Sequence, residues 1–300
     1  MLAWMLRAVW MMLALAGGAW WWIFRSEPLW LTLGGFWAPA LAYGSVLGLE
    51  CTMAARVNRG DIVPRAGFPV WVRAWIREAL VSLKVFGWLQ PLRPGAVADA
   101  KTPASAETTG VVFIHGFMCN RGIWTPWMKA LSAEGRAFVA VNLEPVWGPI
   151  DAYVATIDEA VKRVSSATGR PPVLVCHSMG GLAARAWLRA GGAEAASRVR
   201  HIITLGTPHQ GTWLARFARA PNARQMQLGS PWLRELSSAE PKGHGTGFTC
   251  WYSNCDNIVF PASTATLEGA ANHLATGVGH VELTANTKVM GSCLDLIRAS

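Results

Sequence analysis

Residues 171–190 read PPVLVCHSMGGLAARAWLRA, an apolar run that passes through His-Ser-Met-Gly-Gly into an alanine-rich stretch. Val173–His177 has the length of a buried strand, and the residues from Met179 onward favour helix. Ser178 therefore falls at the corner between the two, with no loop to spare. A strand that turns directly into a helix belongs to a sheet covered by helices. The two backbones approach closely at such a corner, and Gly180 and Gly181 supply the room on the helix side. The stretch is a candidate nucleophile elbow, in which a strained turn lifts a serine hydroxyl out at the end of the sheet. Two residues before the serine stands Cys176, where the strict G-x-S-x-G pattern has glycine.

From Val111 to the end the chain alternates short apolar runs with helical stretches. Strands are predicted at 111–115, 137–143, 173–177, 201–206 and 247–253, and helices near 122–134, 151–167, 179–190, 224–238 and 286–298. This pattern predicts one α/β domain over 111–300 with a mostly parallel sheet flanked by helices.

A reactive serine needs a base, an acid to orient the base, and donors for developing negative charge. TGVGHVEL (276–283) puts His280 on a glycine-rich loop, and YSNCDNIVFP (252–261) puts Asp256 just past a strand. The chain order Ser178, Asp256, His280 is nucleophile, acid, base. VFIHGFMCN (112–120) ends a strand in His-Gly, so the backbone N–H of Phe117 is one candidate oxyanion donor and that of Met179 the other. His115 reads as a structural residue pinning that loop. The rivals are weaker in context: His209 precedes the acid, His201 begins a strand, and His244 and His273 lie in polar loops. Glu268 and Glu282 are alternative acids, and Asp295 falls on the last helix.

The remaining third of the chain is of another kind. Overall 52% of the residues are hydrophobic and 15% charged, with 17 tryptophans, and the excess apolarity gathers near the N-terminus. Residues 8–24 and 28–49 carry no charge, and only Arg25-Ser26-Glu27 separates their cores. Residues 1–60 are accordingly expected to form a transmembrane helical hairpin. A cleaved signal is the competing reading of the first stretch, since Ala14-Leu15-Ala16 has the small-x-small form. Arg56, Arg59, Arg65, Arg73, Arg77 and Lys84 follow, which places the catalytic part on the cytoplasmic side of an inner membrane. Within 61–110, residues 70–89 form an amphipathic helix. Its basic residues fall within about 40° of one another, and it lies on headgroups or packs on the domain. Residues 91–110 read as a flexible linker. The net charge of +9 comes without a dense basic block or a recognition motif, so the membrane surface, not nucleic acid, is its expected partner. Six cysteines show no C-x-x-C pair. They read as buried hydrophobes, with a Cys250–Cys255 disulfide conceivable only in an oxidising compartment. The sequence specifies no oligomeric state.

HGF (115–117), CHSMGG (176–181), LGTPHQGT (205–212), SNCDNIVFP (253–261) and GVGHVEL (277–283) together resemble bacterial triacylglycerol lipases and esterases of the α/β-hydrolase superfamily. The resemblance implies the α/β-hydrolase fold and a Ser178/Asp256/His280 triad. It also implies an oxyanion hole from the Phe117 and Met179 amides, and no redox or nucleotide cofactor. Some such lipases carry a structural calcium, for which the sequence offers no ligand set. The departures are Cys176 and the N-terminal membrane region. In this setting residues 212–247 are a cap or lid insertion whose Trp213, Phe217 and Trp232 would meet acyl chains, or simply pack on the sheet. The expected activity is a membrane-anchored serine ester hydrolase on lipid or other apolar esters. An acyltransferase or thioesterase on the same fold, or a non-catalytic membrane scaffold, are the alternatives.

Overall fold

The computed structural model describes residues 1–100, 108–240 and 244–300. The uncharged opening stretch forms α1 (Leu2–Phe24), which turns through Arg25–Pro28 into α2 (Leu29–Thr32) and α3 (Gly34–Val57). The second apolar run is thus not one continuous span. Thr32 Oγ1 donates to the carbonyls of Phe24 and Glu27 at 2.8 and 2.9 Å, which ties α2 back onto the turn. Among the described residues α1 alone is a helix long and apolar enough to cross a membrane. α1 and α3 meet at Gly17 and Gly35, where a Cβ on Gly35 would come within 3.0 Å of the Gly17 Cα. Small residues at this crossing let the two backbones touch.

α4 (Phe68–Lys84) runs through a π turn at Val85–Leu89 into α5 (Gln90–Leu92). Trp71, Ala74, Glu78, Ser82, Val85 and Leu89 are buried along one stripe, whereas Arg73, Arg77 and Lys84 are exposed. The helix therefore packs on the domain, with its basic side outward. α3 lies against it, the indole N–H of Trp75 donating to the Gly44 carbonyl at 2.8 Å. α1 is held at 85–92, where Arg7 Nε donates to the Pro91 carbonyl (2.6 Å) and Trp10 Nε1 to that of Phe86 (3.0 Å). The linker reading fails at its middle: Asp99 pairs with Arg121 at 2.6 Å and accepts from the Ala140 N–H at 3.1 Å. Residues 101–107 of that linker lie outside the described residues.

The domain is built on six parallel strands: β1 (Val111–Ile114), β2 (Phe138–Ala140), β3 (Val173–His177), β4 (His201–Leu205), β5 (Phe248–Tyr252) and β6 (Ala271–Leu274). Their order is β2-β1-β3-β4-β5-β6. The four inner strands are buried on both faces, hence unbroken apolar runs instead of alternation. Between β1 and β2 lies α6 (Thr125–Ala133); α7 (Val154–Thr168) and α8 (Met179–Ser197) bracket β3. Val112, Ile114, Leu174 and Cys176 pack with α7 and α8 on one face. Val111, Phe113, Val173 and Val175 pack with α6 and the last helix on the other.

The insertion between β4 and β5 contains a short turn at Trp213–Phe217, then α9 (Pro221–Gln225) and α10 (Pro231–Ala239). The helix predicted over 224–238 is thus two, parted at Met226–Ser230, where Gly229 takes a φ of 64°. α10 is tied to α8 by Arg185, buried and paired with Glu240 at 2.6 Å. α11 (Thr287–Arg298) closes the fold. All six cysteines are free and buried.

Candidate active site

Parallel strands deliver the loops at their carboxyl ends to one edge of the sheet, where open α/β sheets bind ligands. β3 ends at His177 and α8 begins at Met179, so Ser178 is the whole connection. It adopts φ 55° and ψ −130°, and Met118 is the one other non-glycine with positive φ among the described residues. The strained corner is fixed on both sides: the Ser178 N–H donates to the Leu205 carbonyl and its own carbonyl accepts from Thr207 Oγ1, each at 2.8 Å. The glycines beside it are steric necessities. A Cβ on Gly180 would lie 2.4 Å from the Ile114 carbonyl oxygen, and one on Gly181 2.3 Å from Thr207 Oγ1. Gly116 faces the serine itself, since a Cβ there would stand 2.6 Å from the Ser178 Cβ. Cys176, fully buried in β3, fills the position where the strict motif has glycine.

His280 Nδ1 and Asp256 Oδ2 are 2.8 Å apart, and both side chains are buried. The other carboxylate oxygen of Asp256 accepts from the N–H groups of Ile258 (2.9 Å) and Val259 (2.7 Å), so the acid is held as an acceptor on both sides. The loops carrying the two residues are braced together: Ser253 Oγ donates to the Val278 carbonyl (2.6 Å), and Asn254 Oδ1 accepts from the Gly277 N–H (2.9 Å). Gly206 joins this pair to the serine corner. It follows Leu205, and a Cβ on it would lie 3.1 Å from both His280 Nδ1 and Asp256 Oδ2. His177, next to Ser178, has its ring centroid 4.7 Å from that of His280 and donates Nε2–H to the His280 carbonyl at 3.1 Å. Ser178 and the His280–Asp256 pair thus flank the same residues, Leu205-Gly206 and His177, at the carboxyl end of the sheet.

Burial works to lower the His280 pKa, but the charge and hydrogen bond of Asp256, with Glu78 and Glu50 behind it, raise it above the ordinary imidazole value. His177 moves the opposite way, held well below that value by burial and by the neighbouring His280. His115 is lowered to about 4, chiefly by burial. Its Nε2 accepts from the Leu143 N–H at 3.0 Å while Nδ1 donates to the Gly116 carbonyl at 2.9 Å, the loop-pinning role expected. The loop carrying Phe117 is further held by Gln90 of α5: its side chain accepts from the Asn120 N–H (2.6 Å), and its carbonyl from Asn120 Nδ2 (3.0 Å).

The other expected residues fall out differently. Trp213 lies between Phe260 and Phe217, tilted against the first and edge-on to the second, with ring centroids 5.8 and 5.3 Å away, and Phe217 is exposed. Trp232 instead commits its indole N–H to Asp151 at 2.7 Å, so it serves the packing of α10 against the segment before α7. Glu282 accepts from the Gly279 N–H at 3.0 Å and braces the histidine loop from a short helical turn; no strand forms there. His209 is buried beside Thr204 Oγ1 at 3.1 Å. Among the described residues no three His, Cys, Asp or Glu side chains cluster to hold a metal, so no calcium ligands can be assigned. Sequence reasoning passed over Glu50, Glu78 and Gln90, which reach the site from the N-terminal helices. The signal for Glu78 was its place, a carboxylate in the middle of the apolar stripe of α4.

The alpha/beta hydrolase family profile matches residues 111–281, more than half of the chain, and the chain belongs to that family. The lipase BlEst2 of Bacillus licheniformis, in its mature form, superposes with a TM-score of 0.57 at 17% identity, over 66% of this chain and 95% of the lipase. Lipase B of Aspergillus fumigatus gives 0.53 at 18% identity, over 65% of this chain and 55% of that one. At these identities the likeness is one of fold. No curated protein matches the chain in sequence.

Proposed function

We propose that this chain is a membrane-anchored serine ester hydrolase that cleaves apolar acyl esters with Ser178 as nucleophile. The observation that carries the reading is the buried His280–Asp256 pair at 2.8 Å beside a serine held at positive φ. With Nδ1–H donated to Asp256, His280 presents Nε2 as the base. Ser178 Oγ attacks the ester carbonyl while its proton passes to Nε2. The tetrahedral oxyanion is received by the N–H groups of Phe117 and Met179, the latter at the start of α8 where the helix dipole favours negative charge. Collapse expels the alcohol, which takes the proton from His280 and leaves an acyl-serine. Water, deprotonated by the same nitrogen, then releases the carboxylic acid. Trp213 and the exposed Phe217 offer the acyl chain an apolar surface.

Lipid esters fit the N-terminal helices and the two structural relatives named as lipases. Arg7 in α1 and Arg25 at its C-terminal cap lie 18 residues apart, roughly 27 Å along a helix, close to the thickness of a bilayer's hydrocarbon core. The basic flank of α4 favours anchoring at the cytoplasmic face of an inner membrane. The test is a fluorophosphonate probe with a soluble chromogenic ester. Ser178 should be the labelled residue, and Ser178→Ala should abolish turnover with the fold intact. Labelling of a different serine overturns the assignment, and faster transfer of the acyl group to an added alcohol than to water makes the enzyme an acyltransferase.

A further inference from the structure

The family match begins at residue 111, yet two carboxylates from the preceding helices reach the loops that carry His280 and Asp256. Glu78 of α4 is 1% exposed, and among the described residues it forms no ion pair. Its Oε1 accepts from the Val281 N–H and its Oε2 from the Glu282 N–H, each at 2.9 Å. These are the two peptide groups directly after His280. The approach is so close that residue 279 must lack a side chain, because a Cβ there would lie 2.4 Å from Glu78 Oε2. Glu50 of α3 makes the second tether. Its Oε2 accepts from Asn257 Nδ2 at 2.8 Å, and Asn257 Oδ1 in turn accepts from the His280 N–H at 3.2 Å. The base of the helical module is packed there as well, with Cys51, Ala54, Trp71 and Ala74 buried against Cys255 and Phe260 on either side of the acid.

A buried carboxylate without a cation is costly unless its acceptor sites are filled. An apolar side chain at position 78 would serve packing better, so packing alone is a poor account of this residue. What the carboxylate provides is a pair of acceptors that fixes the two residues directly after His280, and negative charge near an imidazole that must carry positive charge during turnover. We propose that Glu78, assisted by Glu50, is a positioning residue for His280, so that the N-terminal helices complete the catalytic centre as well as anchor it. This inference rests on the reading of Ser178, Asp256 and His280 as the reacting groups.

Other titratable groups face the same place: Asp256, His177 and Glu282, Arg77 at 3.8 Å from Glu282, and Tyr43 and Cys51 of α3. All remain in Glu78→Gln, so a displaced pH profile reports the one charge removed. The full chain in detergent micelles is assayed with a soluble p-nitrophenyl ester, with active sites counted by the fluorophosphonate probe. Glu78→Gln keeps the shape but turns an amide N–H₂ toward one of the two backbone donors. Per active site, kcat should fall about ten-fold with KM within about two-fold. The acid limb of the labelling rate should move down by about 0.5 pH units or more, because the imidazolium loses support.

A merely structural Glu78 would lower the number of active sites and leave kcat per site and the acid limb unchanged; that result overturns the inference. Should Glu78→Gln fail to fold, Glu50→Gln decides. It retains an acceptor for Asn257 and should lower kcat about three-fold with the same direction of pH shift; no change in either overturns the inference. Ser178→Ala separates the two claims. If it keeps turnover, the nucleophile assignment fails whatever residue 78 does. If it is inactive while Glu78→Gln is unaltered, only the role of Glu78 is lost.

Discussion

Asp256 illustrates how much a single atom's identity decides. Both its oxygens are acceptors, one from two backbone N–H groups and the other from His280 Nδ1. An asparagine must place its amide nitrogen on one side. The two converging N–H groups reject it, so it faces His280 and forces the imidazole proton onto Nε2, where the base is needed. Asp256→Asn should therefore cost about 10³–10⁴-fold in kcat with little change in fold, read by ester turnover alongside circular dichroism. The pH dependence follows from the same ring. With His280 in its proposed role as the neutral base, its raised pKa means that activity should fall as pH drops through a value above 6.5. Stability moves with Glu78 in a definite sense. Burial raises its carboxyl from 4.5 to about 7, so the folded chain binds more protons than the unfolded one in that window. The contribution is complete below pH 4.5 and is lost as pH rises to 7. Denaturant melts of Glu78→Gln across that window should show a flatter decline than the parent protein.

Among the elements, α8 does two jobs. Its first turn forms the serine corner, and its middle holds the insertion through Arg185, which donates to both Glu240 oxygens (2.7 and 2.6 Å) and to the His209 carbonyl (2.8 Å). The Arg185 and Glu240 side chains are both buried, so removing the carboxylate strands the guanidinium charge. Glu240→Leu should cost about 3–5 kcal/mol in urea melts, and adding Arg185→Met should recover most of it. The elements that the sequence made legible are those whose pattern is local. β1, β3 and β4 are apolar runs of strand length, and CHSMGG places the corner by chemistry that only close packing demands. β6 was missed because Ala271–Leu274 is a polar edge strand, mostly exposed and defined by its pairing with β5. The break between α9 and α10 was missed because one glycine carries it. The pairing of Asp256 with His280 at 2.8 Å was anticipated by loop context and chain order. Glu78 was not, because a carboxylate among arginines on a helix reads as a solvated face until a loop 200 residues away supplies its two donors.

The N-terminal helices have two ends with opposite demands. At the base, the carboxylates of Glu50 and Glu78 and the side-chain oxygen of Gln90 accept from loops of the hydrolase domain, and the residues around them are buried. At the tip, Trp21, Trp22, Ile23, Leu29 and Trp30 are 45, 63, 69, 72 and 66% exposed, and Arg25 lies 3.9 Å over the Trp22 ring. Such a cluster is unfavourable in water, and tryptophan beside arginine suits the border of a bilayer. The two ends are therefore expected to separate on mutation. Replacing Trp21, Trp22 and Ile23 by serine removes apolar surface that touches nothing in the hydrolase domain. The variant should leave the membrane pellet on alkaline carbonate extraction while its kcat on a soluble ester stays within about two-fold of the parent. Changes at the base should do the reverse, with retention in the membrane and loss of turnover. If the tip variant remains fully membrane-bound, the hairpin is not the anchor, and the exposed Ile76, Leu80 and Leu83 of α4 become the surface to test.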